Sequence, residues 1–177
     1  MGEQYAHTRH NIGFDILSTF ASSFNAAFQD KRYGFVSELR YKGRIFHLLK
    51  PSTYVNLSGK AVNYWLNKNK IPLENLLVVI DDISLPFGTL RLKPSGGDAG
   101  HNGLMNISEV LGTQNYARLR FGIGSDFPKG YQVEYVLGKW DDSEKSLLPM
   151  RIEQACEMIT AFGTMGIDLA MSRYNNK

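Results

Sequence analysis

A chain of 177 residues, of which 43% are hydrophobic and 21% charged, has the composition of a soluble globular protein and suits a single domain. The net charge of +3 is too small to indicate a nucleic-acid partner by itself. One cysteine, Cys156, excludes an intrachain disulfide framework and is typical of a reducing cytosol. No apolar run approaches the length of a membrane span.

The first half of the chain alternates between helical and extended patterns. Apolar residues at helical spacing predict a helix over about residues 13–28, with Asn11 placed to cap it. Two extended segments parted by Lys42 and Gly43 predict a hairpin. A second amphipathic helix follows over 57–70, on the spacing of Ala61, Val62, Trp65 and Leu66.

The second half continues this alternation. The segment 75–83 contains a short continuous apolar run followed by Asp81 and Asp82, and it is typical of a buried strand in an α/β sheet. Further strands are predicted over 88–94 and 116–124, and a long C-terminal helix is predicted to open at Asp142 or Ser143. The helix between the two strands is indicated by the stripe Leu104, Ile107, Val110 and Leu111. The whole pattern predicts one α/β domain over residues 1–177.

Several common chemistries have no motif here. No G-x-S-x-G element is present, and the stretch SGKA at 58–61 lacks the glycine and the Ser/Thr of a phosphate loop. His7 and His10 have a spacing that can bind metal on a helix, but no H-E-x-x-H element or cysteine cluster accompanies them. We therefore predict no metal site, and we expect Cys156 to be a small core residue.

Polar side chains collect at the predicted ends of strands and starts of helices: His10, Asn11, Asn56, Asp81, Asp82, His101 and Asn102. Ligands of open α/β sheets bind at the carboxyl ends of strands, where Asp81 is predicted to lie. An aspartate beside a histidine fixes the imidazole tautomer, and asparagine amides can hold a carbonyl oxygen. The alternative is that the asparagines cap helices and the aspartates form turns, and spacing alone slightly favours that alternative.

Five blocks of sequence resemble one family, the bacterial peptidyl-tRNA hydrolases. They are TRHNIGF, KPSTYVNLSGKAV, VVIDDISLPFGTLRLKPSGGDAGHNGL, RLRFGIG and VEYVLGKW, in the family's order. The resemblance implies a single α/β domain whose mixed, mostly parallel sheet lies between helices. It also implies hydrolysis of the ester joining a peptide to the 3′ ribose of tRNA, which recycles tRNA from aborted translation. The expected protein is a cytoplasmic monomer that uses no metal or organic cofactor.

The resemblance also implies residue roles, position by position. It makes His10 the general base that activates water, with Asp81 keeping His10 basic. It makes Asn56 and Asn102 the amides that hold the peptide backbone or the reacting carbonyl. The other tRNA-binding positions are Tyr5 and Tyr54 at the acceptor end, Lys93 and Arg120 at the 5′ phosphate, and His101 as a support for the site.

The chain also departs from the family's pattern. Ser84 replaces a common acid, and the family's first strand and its GLGN-type turn would precede Met1. We therefore expect Met1 to be an internal methionine of a longer natural protein, truncated here. A catalytically impaired relative that only binds tRNA or RNA is the alternative function, although the retained His10 and Asp81 favour the enzyme. An unrelated α/β protein with capping asparagines is the third interpretation.

Overall fold

The computed structural model describes residues 7–175, and their elements alternate as the sequence predicts. The helices are α1 (Ile12–Ser23), α2 (Ser58–Asn69), α3 (Asn102–Leu111), α4 (Gln132–Val136), α5 (Asp142–Met165) and α6 (Ile167–Tyr174). The strands are β1 (Gln29–Lys31), β2 (Gly34–Tyr41), β3 (Arg44–Pro51), β4 (Leu77–Asp82), β5 (Leu90–Lys93) and β6 (Ala117–Gly122). The α/β class is confirmed.

The described strands form two sheets of three strands. One is antiparallel in the order β1-β2-β3, and the other has the order β4-β6-β5. In the second sheet β4 and β6 are parallel whereas β5 is antiparallel to β6. The expected mixed sheet is present, and of its two described ladders one is parallel and one antiparallel. The connection between β4 and β5 is too short for the crossover that a parallel pair requires, and β5 therefore runs back.

The mixed sheet carries a hydrophobic cluster on each face. The larger cluster lies against α1 and α5 and includes Ile12, Ile16, Phe20, Leu92, Leu119, Phe121 and Met158. The smaller one lies beneath α2 and α3 and includes Val62, Leu66, Ile80, Leu104, Ile107 and Tyr116. These buried apolar surfaces fix the helices on the two faces of the sheet, and the ends of β4 and the starts of α1 and α3 converge between them.

The start of α1 approaches β4 unusually closely. A Cβ atom at Gly13 would lie 2.7 Å from the carbonyl oxygen of Val79, which is shorter than such contacts allow. Glycine at this position therefore lets the helix start lie directly against the strand that carries Asp81. The short 3-10 turn Arg9–Asn11, which precedes α1, is held beside the same strand.

Some boundaries differ from the sequence prediction. Helix α1 ends at Ser23 because Asn25 adopts a left-handed conformation with φ 54°. Helix α5 is capped by Asp141, through a reciprocal capping box with Glu144. Val110 is 43% exposed although it lies on the predicted apolar stripe. The sequence did not predict β1, α4 or α6, which are short or polar. Among residues 7–175, no helix has the length and apolar character needed to cross a membrane.

Candidate active site

An open cleft of about 1460 Å³ lies at the carboxyl end of β4. Its walls come from the segment before α2, the glycine-rich segment before α3, and α4. Most of the residues singled out in the sequence line it, namely His10, Asn11, Tyr54, Asn56, Asp81, Asp82, Lys93, His101, Asn102 and Arg120. The strand-end position predicted from the α/β pattern is therefore the position of the cleft.

His10 lies on the 3-10 turn that enters α1, and its Nδ1 atom is 3.0 Å from Oδ1 of Asp81. Since a carboxylate only accepts, Nδ1 carries the proton and Nε2 keeps its lone pair. The His10 side chain is 20% exposed and lines the cleft. Burial lowers the pKa of His10, but the hydrogen bond and the charge of Asp81 outweigh burial and raise the pKa above 6.5. His10 thus has the tautomer and the basicity of a general base.

His101 caps α3 and also contacts Asp81. Its Nδ1 accepts hydrogen bonds from the backbone amides of Gly103, at 3.1 Å, and Leu104, at 3.4 Å. The proton of the neutral ring must then be on Nε2, which lies 3.3 Å from Oδ1 of Asp81 and donates to it. The two imidazole rings are 5.3 Å apart. One carboxylate oxygen therefore fixes the orientation of both histidines.

Asp81 is an ionised carboxylate in a buried position. Its residue is 7% exposed, and burial by itself would raise its pKa. The hydrogen bonds from His10 and His101 outweigh this effect and lower the pKa of Asp81 to about 2. Asp81 remains charged throughout the physiological range, so it can stabilise an imidazolium cation on His10 when a proton is taken up.

Asn56 and Asn102 line the cleft and do not cap α2 or α3. Asn56 lies in the 3-10 turn Val55–Leu57 and Asn102 is the first residue of α3, and both are exposed in the cleft. The cap position of α2 is Leu57, and the cap of α3 is His101. The capping interpretation is therefore wrong for Asn56 and Asn102. Asn11 does occupy the cap position of α1, without a side-chain cap hydrogen bond.

The two cations expected to bind phosphate lie on neighbouring strands. Lys93 is exposed at the end of β5, and Arg120 lies on β6, on the same cleft-facing side. Two hydrogen bonds fix the orientation of Arg120. It donates to Oδ2 of Asp82 and, at 3.0 Å, to the hydroxyl of Ser84. Ser84, at which an acid was expected from the resemblance, thus contacts Arg120. Tyr54 is 78% exposed at the cleft, and Tyr5 lies outside the described residues.

Two buried arginines near the site were missed in the sequence. Arg9 ion-pairs with Glu144 at 2.6 Å and donates to the carbonyl of Lys139 at 2.7 Å, which anchors the residue next to His10. Arg118 is 2% exposed and donates to the carbonyl of Gly97 in the glycine-rich wall. Its Nε and Nη2 have no hydrogen-bond partner within the described residues. The sequence indicates Arg118 through the segment RLR, in which Arg118 and Arg120 alternate with core residues along β6.

His10, Asp81 and His101 also form the one donor set in residues 7–175 that could hold a metal ion, with ligand atoms within 4.8 Å of one another. Two imidazole nitrogens and a carboxylate oxygen suit zinc or a similar cation. In the structure these atoms are joined to each other by hydrogen bonds, which a metal would have to replace. His7 is not part of this set and instead lies 3.2 Å from Asp15.

The similarity to known proteins covers the whole chain. Residues 1–177 match the family model described as peptidyl-tRNA hydrolase. A peptidyl-tRNA hydrolase of Phocaeicola vulgatus is 55% identical over 177 residues, which are 100% of this chain and 95% of the relative. That of Porphyromonas gingivalis is 50% identical over 175 residues, 99% of this chain and 95% of the relative. The crystal structure of the Acinetobacter baumannii enzyme has a TM-score of 0.92 and 32% identity, over 99% of this chain and 90% of that one.

Proposed function

The chain belongs to the peptidyl-tRNA hydrolase family, and we propose that its ester hydrolysis takes place in the cleft at His10, with a water molecule as the nucleophile. The activity is hydrolysis of the ester that links a peptide to tRNA. The observation that supports this site is the bond from His10 Nδ1 to Asp81, which leaves Nε2 of His10 unprotonated at the cleft.

The proposed reaction has two steps. Nε2 of His10 takes a proton from water while the water oxygen bonds to the ester carbonyl carbon, and the carbonyl becomes an oxyanion. The oxyanion then collapses, the bond from the carbon to the ribose oxygen breaks, and the imidazolium returns its proton to that oxygen. The products are a peptide with a free carboxylate and a tRNA with a free hydroxyl. Asp81 stabilises the intermediate imidazolium, consistent with its low pKa of about 2.

Asn56 and Asn102 are proposed to bind the reacting end of the substrate. Both are exposed in the cleft, and side-chain amides can donate hydrogen bonds to a developing oxyanion or to a peptide carbonyl. A donor of this kind is commonly worth about 10²–10³-fold in rate. His101 is proposed as a support, since it orients Asp81 and starts the helix that carries Asn102.

The tRNA is proposed to bind through Lys93 and Arg120 at its 5′ phosphate and through Tyr54, with Tyr5, at its acceptor end. Cations on neighbouring strands suit a phosphate, whose contacts position the nucleic acid without reading its sequence. Lys93 has no ion-pair partner in the described part of the chain, so its charge is available. Arg120 shares its charge with Asp82, so we expect Lys93 to carry more of the attraction.

We further propose that the chain works as a single domain, as a monomer, in the cytoplasm and without a metal or organic cofactor. The two hydrophobic clusters on opposite faces of one sheet support a single folding unit. Within residues 7–175, no feature favours the alternative of an RNA-binding relative without turnover, because the base and its carboxylate are hydrogen-bonded as hydrolysis requires.

The test is release of the acyl group from N-acetyl-aminoacyl-tRNA by the purified protein. We expect turnover that persists after dialysis against a chelator. Turnover that stops in chelator and returns with zinc would instead assign a metal to His10, Asp81 and His101. Binding of tRNA without turnover in either condition would support the RNA-binding alternative.

A further inference from the structure

A second groove opens beside the active-site cleft, between α2 and α3. Its volume is about 850 Å³, and it is lined by Tyr33, Leu57, Lys60, Asn63, Tyr64, Asn67, Lys68, Asn106 and Val110. We call it the α2–α3 groove. Leu57 lines both this groove and the active-site cleft, so the two adjoin at this side chain.

The α3 helix also links the two sites. Asn102 lies in the active-site cleft, and Asn106 and Val110 follow it at intervals of four residues, on the same face of the helix. Val110 lies eight positions after Asn102, which corresponds to about 12 Å of helix. An extended peptide covers that distance with about four residues. A chain held at Asn102 can therefore continue into the groove.

The groove is cationic. Lys60, Tyr64 and Lys68 form a stripe on α2, and none of the lining residues is acidic. Among the described residues, Lys60 and Lys68 make no salt bridge and instead lie over aromatic rings, at 5.1 Å from Tyr33 and 4.7 Å from Trp65. Arg32 adds a third cation, 5.0 Å from the ring of Tyr33. The pKa of the Tyr33 phenol is lowered, mainly because Arg32 hydrogen-bonds to it.

The groove also has apolar surface. Leu57 is 46% exposed and Val110 is 43% exposed, and both line the groove together with the cations of α2. A surface that combines apolar side chains, amides and unpaired cations suits a peptide with apolar and acidic residues. A phosphate backbone would use the cations but would leave the exposed leucine and valine uncovered.

The position of the groove also favours the peptide over the tRNA. In the mixed sheet, β6 and then β5 lie to one side of β4, and they carry Arg120 and Lys93. Helix α2 packs against β3 and α3 instead. A substrate with its 5′ phosphate at Lys93 and its ester at His10 therefore leaves the surface beside Leu57 and α2 free for its peptide.

We propose that the α2–α3 groove binds the part of the peptide upstream of the ester and gives the enzyme a preference for peptidyl-tRNA with acidic and apolar residues there. This proposal rests on the proposed function of the active-site cleft. The groove would take about four residues beyond those held at Asn56 and Asn102, and it would not engage a substrate with a single acylated amino acid.

The experiment compares three substrates on the same tRNA: an N-acetyl amino acid, an N-acetyl hexapeptide of alternating Glu and Leu, and the same hexapeptide with Lys for Glu. The test variant is Lys60→Glu with Lys68→Glu. We expect its ratio of kcat/KM for the acidic hexapeptide to that for the N-acetyl amino acid to be about tenfold lower than in the parent. We expect the basic hexapeptide to improve relative to the acidic one.

The matched control is Arg40→Glu, which reverses an exposed cation on β2 that lines neither site, and it should keep the parental ratios. Equal loss of kcat/KM with all three substrates would overturn the proposal and assign the groove to the RNA. Unchanged ratios in the double variant would also overturn it. A parent that hydrolyses none of the substrates would refute the function of the active-site cleft itself, which is a different result.

Discussion

Nδ1 of His10 lies 3.0 Å from Oδ1 of Asp81, although the two residues are 71 positions apart in the chain. This one hydrogen bond decides which imidazole nitrogen is free. It also couples the turn before α1 to the end of β4, so the chemistry of the cleft depends on how those two elements pack.

Replacement of His10 by alanine should abolish general-base catalysis while the tRNA surface stays intact. We expect kcat to fall by about 10²-fold or more with little change in tRNA affinity. Steady-state hydrolysis and a tRNA binding assay would measure the two quantities. His47→Ala is the matched control, because His47 pairs with Glu38 on the hairpin and lies outside the cleft. A parental rate in His10→Ala would remove His10 from the reaction.

Asp81→Asn should change the pH dependence of hydrolysis. The Asp81 carboxylate raises the pKa of His10, and the base must be neutral to act, so the parental rate should rise with pH through a value above 6.5. Without the charge, we expect this limb to move to lower pH and the plateau to fall, because the imidazolium loses its stabilisation. The measurement is kcat/KM from pH 5 to 9. An identical profile would show that Asp81 does not act on His10.

Asp81 should also make the free energy of unfolding depend on pH. Its pKa is lowered from 3.8 to about 2, so its contribution is present above pH 3.8 and is lost as the pH falls toward 2. The contribution of His10, whose pKa is raised, is present below pH 6.5 and is lost as the pH rises through its folded value. Urea unfolding should therefore show a penalty for Asp81→Asn at pH 6 that shrinks below pH 3. A penalty that does not vary with pH would contradict this linkage.

Replacement of Lys93 and replacement of Arg120 by alanine should have different effects on stability. Lys93→Ala should raise KM for full-length peptidyl-tRNA and flatten its salt dependence, with no change in Tm. Arg120→Ala should do the same and also destabilise the fold by about 1–2 kcal/mol, because the buried Asp82 loses its partner. A substrate that lacks the 5′ phosphate is the control, and its KM should be nearly the same with Lys93→Ala as with the parent. Equal damage with both substrates would contradict the phosphate contact.

Gly13→Ala should impair catalysis through packing. The added Cβ would lie 2.7 Å from the Val79 carbonyl oxygen, so α1 must move away from β4 and take His10 away from Asp81. A displacement of this kind can cost about 10- to 100-fold in kcat. Thr19→Ala, at an exposed position of the same helix, controls for helix propensity. A fully active Gly13→Ala variant would show that the close approach does not position the base.

Sequence reasoning located the strand-end aspartates, the hairpin and the helices α1, α2, α3 and α5, because these depend on local periodicity. It could not show that His101 caps α3 with one nitrogen and contacts Asp81 with the other, since that requires the helix and the strand to meet in space. The pairing of Arg120 with Asp82 was missed for the same reason. The direction of β5 was left open, because the pattern of apolar residues does not encode strand direction.

The carboxylate of Glu144 has a consequence for biosynthesis. It accepts from Arg9 at 2.6 Å and from the amide of Asp141 at 2.8 Å, so the residue beside His10 is anchored by a helix that the ribosome makes late. Glu144 comes 135 positions after Arg9 and must be translated before this anchor can form. A nascent chain of this hydrolase therefore contains His10 before the neighbouring Arg9 can be anchored, and we expect full activity only after Glu144 has left the ribosome.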